Sequence, residues 1–500
     1  MFKKKILSVF LVSCIIYPLS LINQLLISYY FGTTFILDAY WNSFSIAMLS
    51  ILYVQPVKEI LLNEFYVLNL RKKNLSQIYL TNQLFLIFIF TLFILSILWL
   101  SSEYISYYLF PMGGINEYIT KFLKHFCLYL FFLIAVELLC GILVTQNQPI
   151  FQVLPKLFLV LGSISIFIIF IHQINELVLI YGPTLGLFVL FILCVYKLRK
   201  NFVLFSIHQL KFSFKFIKKI KGLLFLNFIT VFYLFFEKYI MSFFSQGLVS
   251  AYQYGRSLND IPQNLFVMAL ASSLWPLYLK EANNHNKSHF FEMTIKKIYL
   301  LLLILTLITI LCLFYSEHII FLVYYRGKFD LYSLQLTSEC LKIIILSLIP
   351  MSVYTIFLRA IYSLKEIKWV IISGSVGVFA GLFTLILSLI LKNESLSLYH
   401  FPISQYVSML LVSYVFLSKT QVNIDYFQKI RLFKFLIKYF TILFLIYLFF
   451  PNSDFEILPK PSILKIFIAE STFLVLIILI LWFVSNIINV NMIKNLFQNN

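Results

Sequence analysis

Ser250-Ala-Tyr-Gln-Tyr-Gly-Arg-Ser-Leu-Asn-Asp-Ile-Pro262 opens an apolar run that continues to about Leu279. On a helix, Arg256 and Asp260 lie one turn apart and share a face. The chain has six arginines: Arg71, Arg199, Arg326 and Arg431 fall in polar connections, whereas Arg256 and Arg359 sit inside apolar stretches. A guanidinium at membrane depth is costly unless it lines a wet cavity or has a partner. The stretch thus predicts a membrane-spanning helix whose charged face turns away from lipid.

The rest of the sequence agrees. Apolar residues make up 61% and charged residues 12%, too little charge to cover a soluble domain of 500 residues. Apolar windows of spanning length fall near 6–31, 36–57, 79–100, 122–145, 150–171, 176–197, 222–244, 256–279, 298–324, 334–362, 368–391, 399–418, 434–451 and 463–487. The expected fold is an all-α polytopic integral membrane protein of about 14 transmembrane helices. The opening MFKKKILSVFLVSC imitates a secretory signal, but apolar sequence continues to Tyr30, so it reads as a first transmembrane helix.

The net charge of +19 does not point to nucleic acid. Lysines and arginines concentrate in alternate connections, chiefly Lys3 to Lys5, Arg71 to Lys73, Lys197–Lys221, Lys280–Lys297 and Lys419–Lys434. That pattern places both termini in the cytoplasm. The basic Lys197–Lys221 connection divides the chain. The expected organisation is a six-helix lobe over 1–200, a cytoplasmic connection over 201–221, a second six-helix lobe over 222–420 and two further helices over 421–500. A faint internal echo supports paired lobes: Tyr30-Phe-Gly…Asp38-Ala-Tyr40 aligns with Phe244…Ser250-Ala-Tyr252 at a constant offset. Parallel repeats of this kind bind substrate between them.

Catalytic and cofactor signals are lacking in the sequence. The six cysteines are scattered with no CxxC pair, which argues against a disulfide framework or a zinc site. There is no Walker loop for ATP, no HExxH and no Gly-x-Ser-x-Gly. Neither an enzyme, a metal nor a cofactor is expected.

Four stretches resemble the MviN-like family of lipid II flippases, within the multidrug/oligosaccharidyl-lipid/polysaccharide exporter superfamily. They are Tyr30-Phe-Gly-Thr-Thr-Phe-Ile-Leu-Asp-Ala-Tyr40; Gly141-Ile-Leu with Pro149 and Pro155; Tyr252-Gln-Tyr-Gly-Arg256 with Pro262 and Leu274-Trp-Pro276; and Tyr325-Arg-Gly-Lys-Phe329 followed by Leu358-Arg-Ala-Ile-Tyr-Ser-Leu-Lys-Glu-Ile-Lys368. The resemblance implies two lobes around a cationic cavity, and a groove formed by the last two helices that holds a polyprenyl tail. It implies transport of a lipid-linked glycan across a bacterial cytoplasmic membrane, from the inner to the outer leaflet. The family's first two spans usually add arginines to that cavity. Here Tyr17, Asn23 and Ile51 stand at those places, and Lys58 is the cation those spans offer. The cargo expected is lipid II for peptidoglycan synthesis; an O-antigen or exopolysaccharide lipid-linked oligosaccharide is the alternative, with a multidrug exporter on the same scaffold behind it.

The charged residues inside spans are the candidate site. Arg256, with Asp260 and Lys58, would contact a diphosphate, since guanidinium offers a fixed fork for such groups; an Arg256–Asp260 pair that only staples the helix is the competing account. Asp38 either caps its own helix or gates the outer mouth by pairing with a cation from the other lobe. Arg359 either reaches for headgroups or serves an inner gate. Glu237 and Glu137 are candidates to bind a coupling ion, sodium or a proton, with the membrane potential a further source of drive. Lys238 beside Glu237 points about 100° away from it, so each should meet a different neighbour.

Overall fold

A computed structural model describes residues 2–71, 73–110, 114–146, 148–199, 214–268, 270–271, 274, 277–278, 287–364 and 366–419. The two C-terminal helices expected over 421–500, with the groove between them, lie outside the described residues, as does most of the connection over 201–221.

The described chain is helical and, among the described residues, has no strand. In order it forms α1 (Phe2–Phe31), α2 (Phe35–Ser50), α3 (Val54–Arg71), α4 (Lys73–Leu109), α5 (Ile115–Thr145), α6 (Leu154–Ile174), α7 (Val178–Leu198) and α8 (Phe214–Met241). It continues with α9 (Leu248–Pro262), α10 (Lys287–Tyr324), α11 (Leu331–Ile344), α12 (Leu348–Ser363), α13 (Ile367–Ile390), the short α14 (Glu394–Leu398) and α15 (His400–Lys419). Among the described residues seven segments are long and apolar enough to cross a membrane, and an eighth if the bent pair α2–α3 counts as one. The protein is a polytopic helical membrane protein.

Three local departures from straight spans have physical causes. The window 36–57 is not one helix: it breaks at residues 51–53, bending by 45° into α3. The Leu52 carbonyl left free there accepts a hydrogen bond from the Asn227 amide of α8, as a buried carbonyl in lipid requires. The window near 256–279 is likewise interrupted. Pro262 has no N–H to return to the preceding turn, and its ring crowds that carbonyl. The chain widens into a π-turn over Gln263–Met268, the commonest form in which such a helix appears. Third, a 3-10 turn at Asn175–Leu177 divides Leu154–Leu198 into α6 and α7, which pack on each other more extensively than any other pair among the described helices. Glycines permit that approach: a Cβ on Gly162 would strike the backbone of Gly182 and Gly186, and one on Gly186 the carbonyl of Phe158. Small residues at facing positions are how helices associate in a solvent that offers no hydrophobic drive.

The described residues pack as two units. The first comprises Met1–Ile261, Ser316–Ile344 and Ile371–Ser408. Its core is aromatic and aliphatic, with Tyr40 between Phe122 and Phe126 of α5, at centroid distances of 5.9 and 5.5 Å. The second comprises Pro262–Tyr315, Ile345–Val370 and the described residues from Met409 on. Phe416 is its centre, packed on Phe357 at 4.7 Å and Phe291 at 5.8 Å.

Candidate functional site

The charged side chains buried in the first unit form a cluster on three helices. α8 supplies Glu237, with none of its side chain exposed, and α9 supplies Arg256. The Arg256 Nη1 donates to both carboxylate oxygens of Glu237, at 2.9 and 3.1 Å. The guanidinium carbon also lies over the Phe401 ring, 4.6 Å from its centroid, a cation–π contact. α15 supplies His400, whose Nε2 is 3.1 Å from the other side of the Glu237 carboxylate. Asp260, one turn after Arg256, stands within electrostatic reach of Arg256, Glu237 and Lys156.

Arg256 is not saturated by this arrangement. A guanidinium carries five N–H donors; here the bonds to Glu237 engage Nη1 only, and among the described residues Nε and Nη2 make no hydrogen bond. Its side chain remains 19% exposed. Lys238, the next residue after Glu237, is 7% exposed. Its ammonium makes no ion pair or hydrogen bond among the described residues and lies 5.7 Å from the ring of Trp41 and 5.8 Å from that of Phe44.

A second constellation joins the start of α2 to the start of α9. The Asp38 carboxylate accepts from the Gly247 N–H at 2.6 Å, the Ser250 N–H at 2.8 Å and the Ser250 hydroxyl at 2.6 Å. Asp38 therefore caps a helix, though α9 and not its own: Gly247 precedes the first turn of α9, and Ser250 lies within it. Around it the chain segments meet through backbone and hydroxyl groups. The Lys328 N–H donates to the Tyr29 carbonyl at 2.8 Å, the Tyr254 hydroxyl to the Gly32 carbonyl at 3.1 Å, and the Thr33 and Ser333 hydroxyls are 2.8 Å apart. Gly32, Gly247 and Gly327 all have positive φ here, and a Cβ on any of them would collide with backbone across the seam.

Lys58 and Glu137 are brought together, Nζ to Oε2 at 2.5 Å, between α3 and α5. Arg359 sits in the second unit, its Nη1 donating to the Ala271 carbonyl at 3.2 Å. Among the described residues no cluster of His, Cys, Asp or Glu could hold a metal ion.

The family model described as Lipid II flippase MurJ matches residues 27–456. The chain belongs to the lipid II flippase MurJ family. Its resemblance to the MviN-like flippases is thereby shown. A probable lipid II flippase MurJ of Helicobacter pylori strain J99 is 26% identical over 148 residues, 30% of this chain and 32% of the relative. One from Borreliella burgdorferi is 27% identical over 109 residues, 22% of each chain. The aligned stretch thus spans about a third or less of the curated relatives it matches. Among solved structures, a lipid II flippase MurJ in an inward closed conformation superposes with TM-score 0.71 at 18% identity, over 97% of this chain and 99% of that one. An inward-facing multidrug resistance MATE family transporter superposes with TM-score 0.68 at 13% identity, over 81% and 94% of the two chains. These likenesses establish the fold.

Within that fold, sequence reading found Glu237 and Arg256 but missed their third partner. His400 was passed over because the histidines show no metal spacing. The signal that marks it is different: a histidine at the head of an apolar window, which needs a partner at that depth as much as a carboxylate does.

Proposed function

We propose that the protein is a flippase that carries a polyprenyl-diphosphate-linked glycan, lipid II in the first instance, from the inner to the outer leaflet by alternating access. The observation that carries this reading is Arg256, a guanidinium inside an apolar stretch, bonded among the described residues through one nitrogen alone. Such a group suits a diphosphate, which accepts a planar fork of N–H bonds. A carrier of drug cations would call for the opposite polarity. Family membership supports the choice of cargo, and the relatives are named as probable lipid II flippases.

In this reading Asp260 orients Arg256, Lys58 supplies further positive charge and Glu237 or Glu137 serves a coupling ion, whether sodium or protons. The Asp38 seam is the gate on the outer side, and Arg359 belongs to the inner one. Two lobes, 1–200 and 222–420, move about the site. Both termini face the cytoplasm, following the lysine distribution, and the membrane is the bacterial cytoplasmic membrane. The chain then performs no catalysis: the problem solved is to shield a polar headgroup from hydrocarbon while its tail stays in lipid. The membrane potential can reset the empty cationic carrier, since one charge crossing 100 mV is worth about 2.3 kcal/mol.

Complementation of a strain depleted of its own lipid II flippase tests the reading. Arg256→Ala should abolish growth, and Arg256→Lys should restore it poorly, because ammonium lacks the fork. Full growth with both variants would remove Arg256 from the site. If the wild-type chain fails there yet restores a strain lacking a surface-polysaccharide flippase, the cargo is that other glycan, consistent with Tyr17, Asn23 and Ile51 standing where the resemblance expects arginines.

A further inference from the structure

We infer that Glu237 and His400 hold one proton between them, and that this proton keeps Glu237 compensated when Arg256 turns from it to an incoming diphosphate. The second half of this inference rests on the reading of Arg256 as the anion ligand; the first does not.

The ring of His400 has acceptors on both sides. Its Nδ1 is 2.6 Å from the Ser397 carbonyl oxygen, which can only accept, so Nδ1 carries hydrogen. Its Nε2 is 3.1 Å from Glu237 Oε2. With Nδ1 protonated, a neutral ring would aim a lone pair at a carboxylate, and neither side chain has any exposure through which water could relieve the clash. One additional proton removes the conflict. It sits on Nε2, giving imidazolium against carboxylate, or on Oε2, giving carboxylic acid donating to imidazole; the count is the same.

The surroundings set what the proton does. From α8, Tyr233 and Lys238 face the pair; from α9, Tyr252, Arg256 and Asp260; and from α11, Cys340 lies beyond Tyr252. The Tyr252 hydroxyl is 3.4 Å from Nε2. Only Arg256 and His400 bond the Glu237 carboxylate, among the described residues. If a diphosphate draws Arg256 away, Glu237 keeps a single partner, and a bare carboxylate in that position is strongly unfavourable. The proton on the His400 side must then stay. Anion binding and proton binding therefore favour each other, and by linkage each strengthens the other equally. When the proton leaves, Glu237 reclaims Arg256 and the anion site closes.

The experiment uses the full chain in nanodiscs with ¹⁵N-histidine labelling, His400 being assigned by its loss in His400→Gln. At neutral pH the wild-type protein should show an imidazolium at His400, or a neutral ring together with the infrared band of a protonated carboxyl that vanishes in Glu237→Gln. A neutral ring with an ionised Glu237 overturns the proposal. Binding of inorganic pyrophosphate is then followed against pH. Wild-type affinity should fall by up to about tenfold per pH unit more than that of Glu237→Gln, the limit for one linked proton. Equal pH dependence in the two proteins overturns the linkage, because the probe's own titration is common to both. Loss of the Arg256 phenotype in complementation would defeat the flippase site while leaving the proton measurement standing.

Discussion

Asp38 and Ser250 occupy the corresponding positions of the internal echo, and they bond each other: carboxylate to N–H at 2.8 Å and to hydroxyl at 2.6 Å, across 212 residues. The offset between the two copies of the motif is that same separation. The contact joins two positions that the echo makes equivalent. It also divides the labour between them: one copy presents a carboxylate, the other the amides that a helix start leaves unpaired.

The seam made by this pair should be breakable and lockable. Asp38→Ala removes three charge-assisted hydrogen bonds, each worth about 1.5–3 kcal/mol, and leaves the first amides of α9 unmet. A labelling assay with a membrane-impermeant thiol reagent on Thr33→Cys should report faster modification in the Asp38→Ala background. The converse is a lock: Thr33 and Ser333 have hydroxyls 2.8 Å apart, so Thr33→Cys with Ser333→Cys should oxidise to a crosslink that stops growth in complementation until reductant is added. Unchanged growth with quantitative crosslinking would mean that the seam need not open.

Lys58 and Glu137 are expected to act as a pair. Their contact joins α3 to α5 across the bend that follows Ile51 to Tyr53. Either Lys58→Glu or Glu137→Lys alone places like charges together and should lower complementation. The exchanged double variant should recover most of it if the role is to hold the bend. Recovery that fails while the protein stays folded would show instead that the cation itself, at that place, contacts substrate.

The sequence carried the class and most of the spans, because a bilayer demands about twenty apolar residues per crossing and leaves an unmistakable pattern. It also exposed Glu237 and Arg256, whose charges stand out in apolar text. What it withheld was pairing. Nothing in local spacing joins Glu237 to Arg256 or to His400, the last 163 residues away, since partners on neighbouring helices are set by tertiary packing. The one-turn relation of Arg256 to Asp260 is visible in the spacing; the distant partners are not. Likewise the cap alternative for Asp38 points to its own helix because the rule for caps is local, and the gate alternative asks for a cation, whereas its carboxylate meets amides and a hydroxyl at the start of α9. The breaks at 51–53 and 263–268 were hidden for a related reason: hydropathy reports burial in lipid and is indifferent to whether a helix bends within it.

The α6–α7 hairpin should be sensitive to a single methyl group. A Cβ on Gly186 would meet the Phe158 carbonyl, which is backbone and cannot swing aside. Gly186→Ala should force the helices apart at a cost of about 1–3 kcal/mol, read as a lower melting temperature in detergent. Gly114→Ala is the control. Unlike Gly186 it has positive φ, but a Cβ there meets nothing within 4 Å, so only the strain of that backbone conformation is added, about 1–2 kcal/mol. Equal effects would mean that the hairpin is looser than the structure shows.

Lys238 separates stability from function most cleanly. Its ammonium is buried against Trp41 and Phe44 with no anionic partner bonded to it among the described residues, and the aromatic faces return about 0.5–2 kcal/mol. A charged side chain inside a span costs about 2.5–3.5 kcal/mol by insertion scales, so the balance is unfavourable for folding alone. Lys238→Met keeps the length and volume while deleting the charge, and should raise the melting temperature of the substrate-free protein. If the ammonium serves anion transport, the same variant should lose growth in complementation, and Lys238→Arg should retain part of it. Trp41→Leu, which removes the ring and leaves the charge, should destabilise the protein instead. A Lys238→Met protein that is both more stable and fully functional would assign the lysine no role in transport.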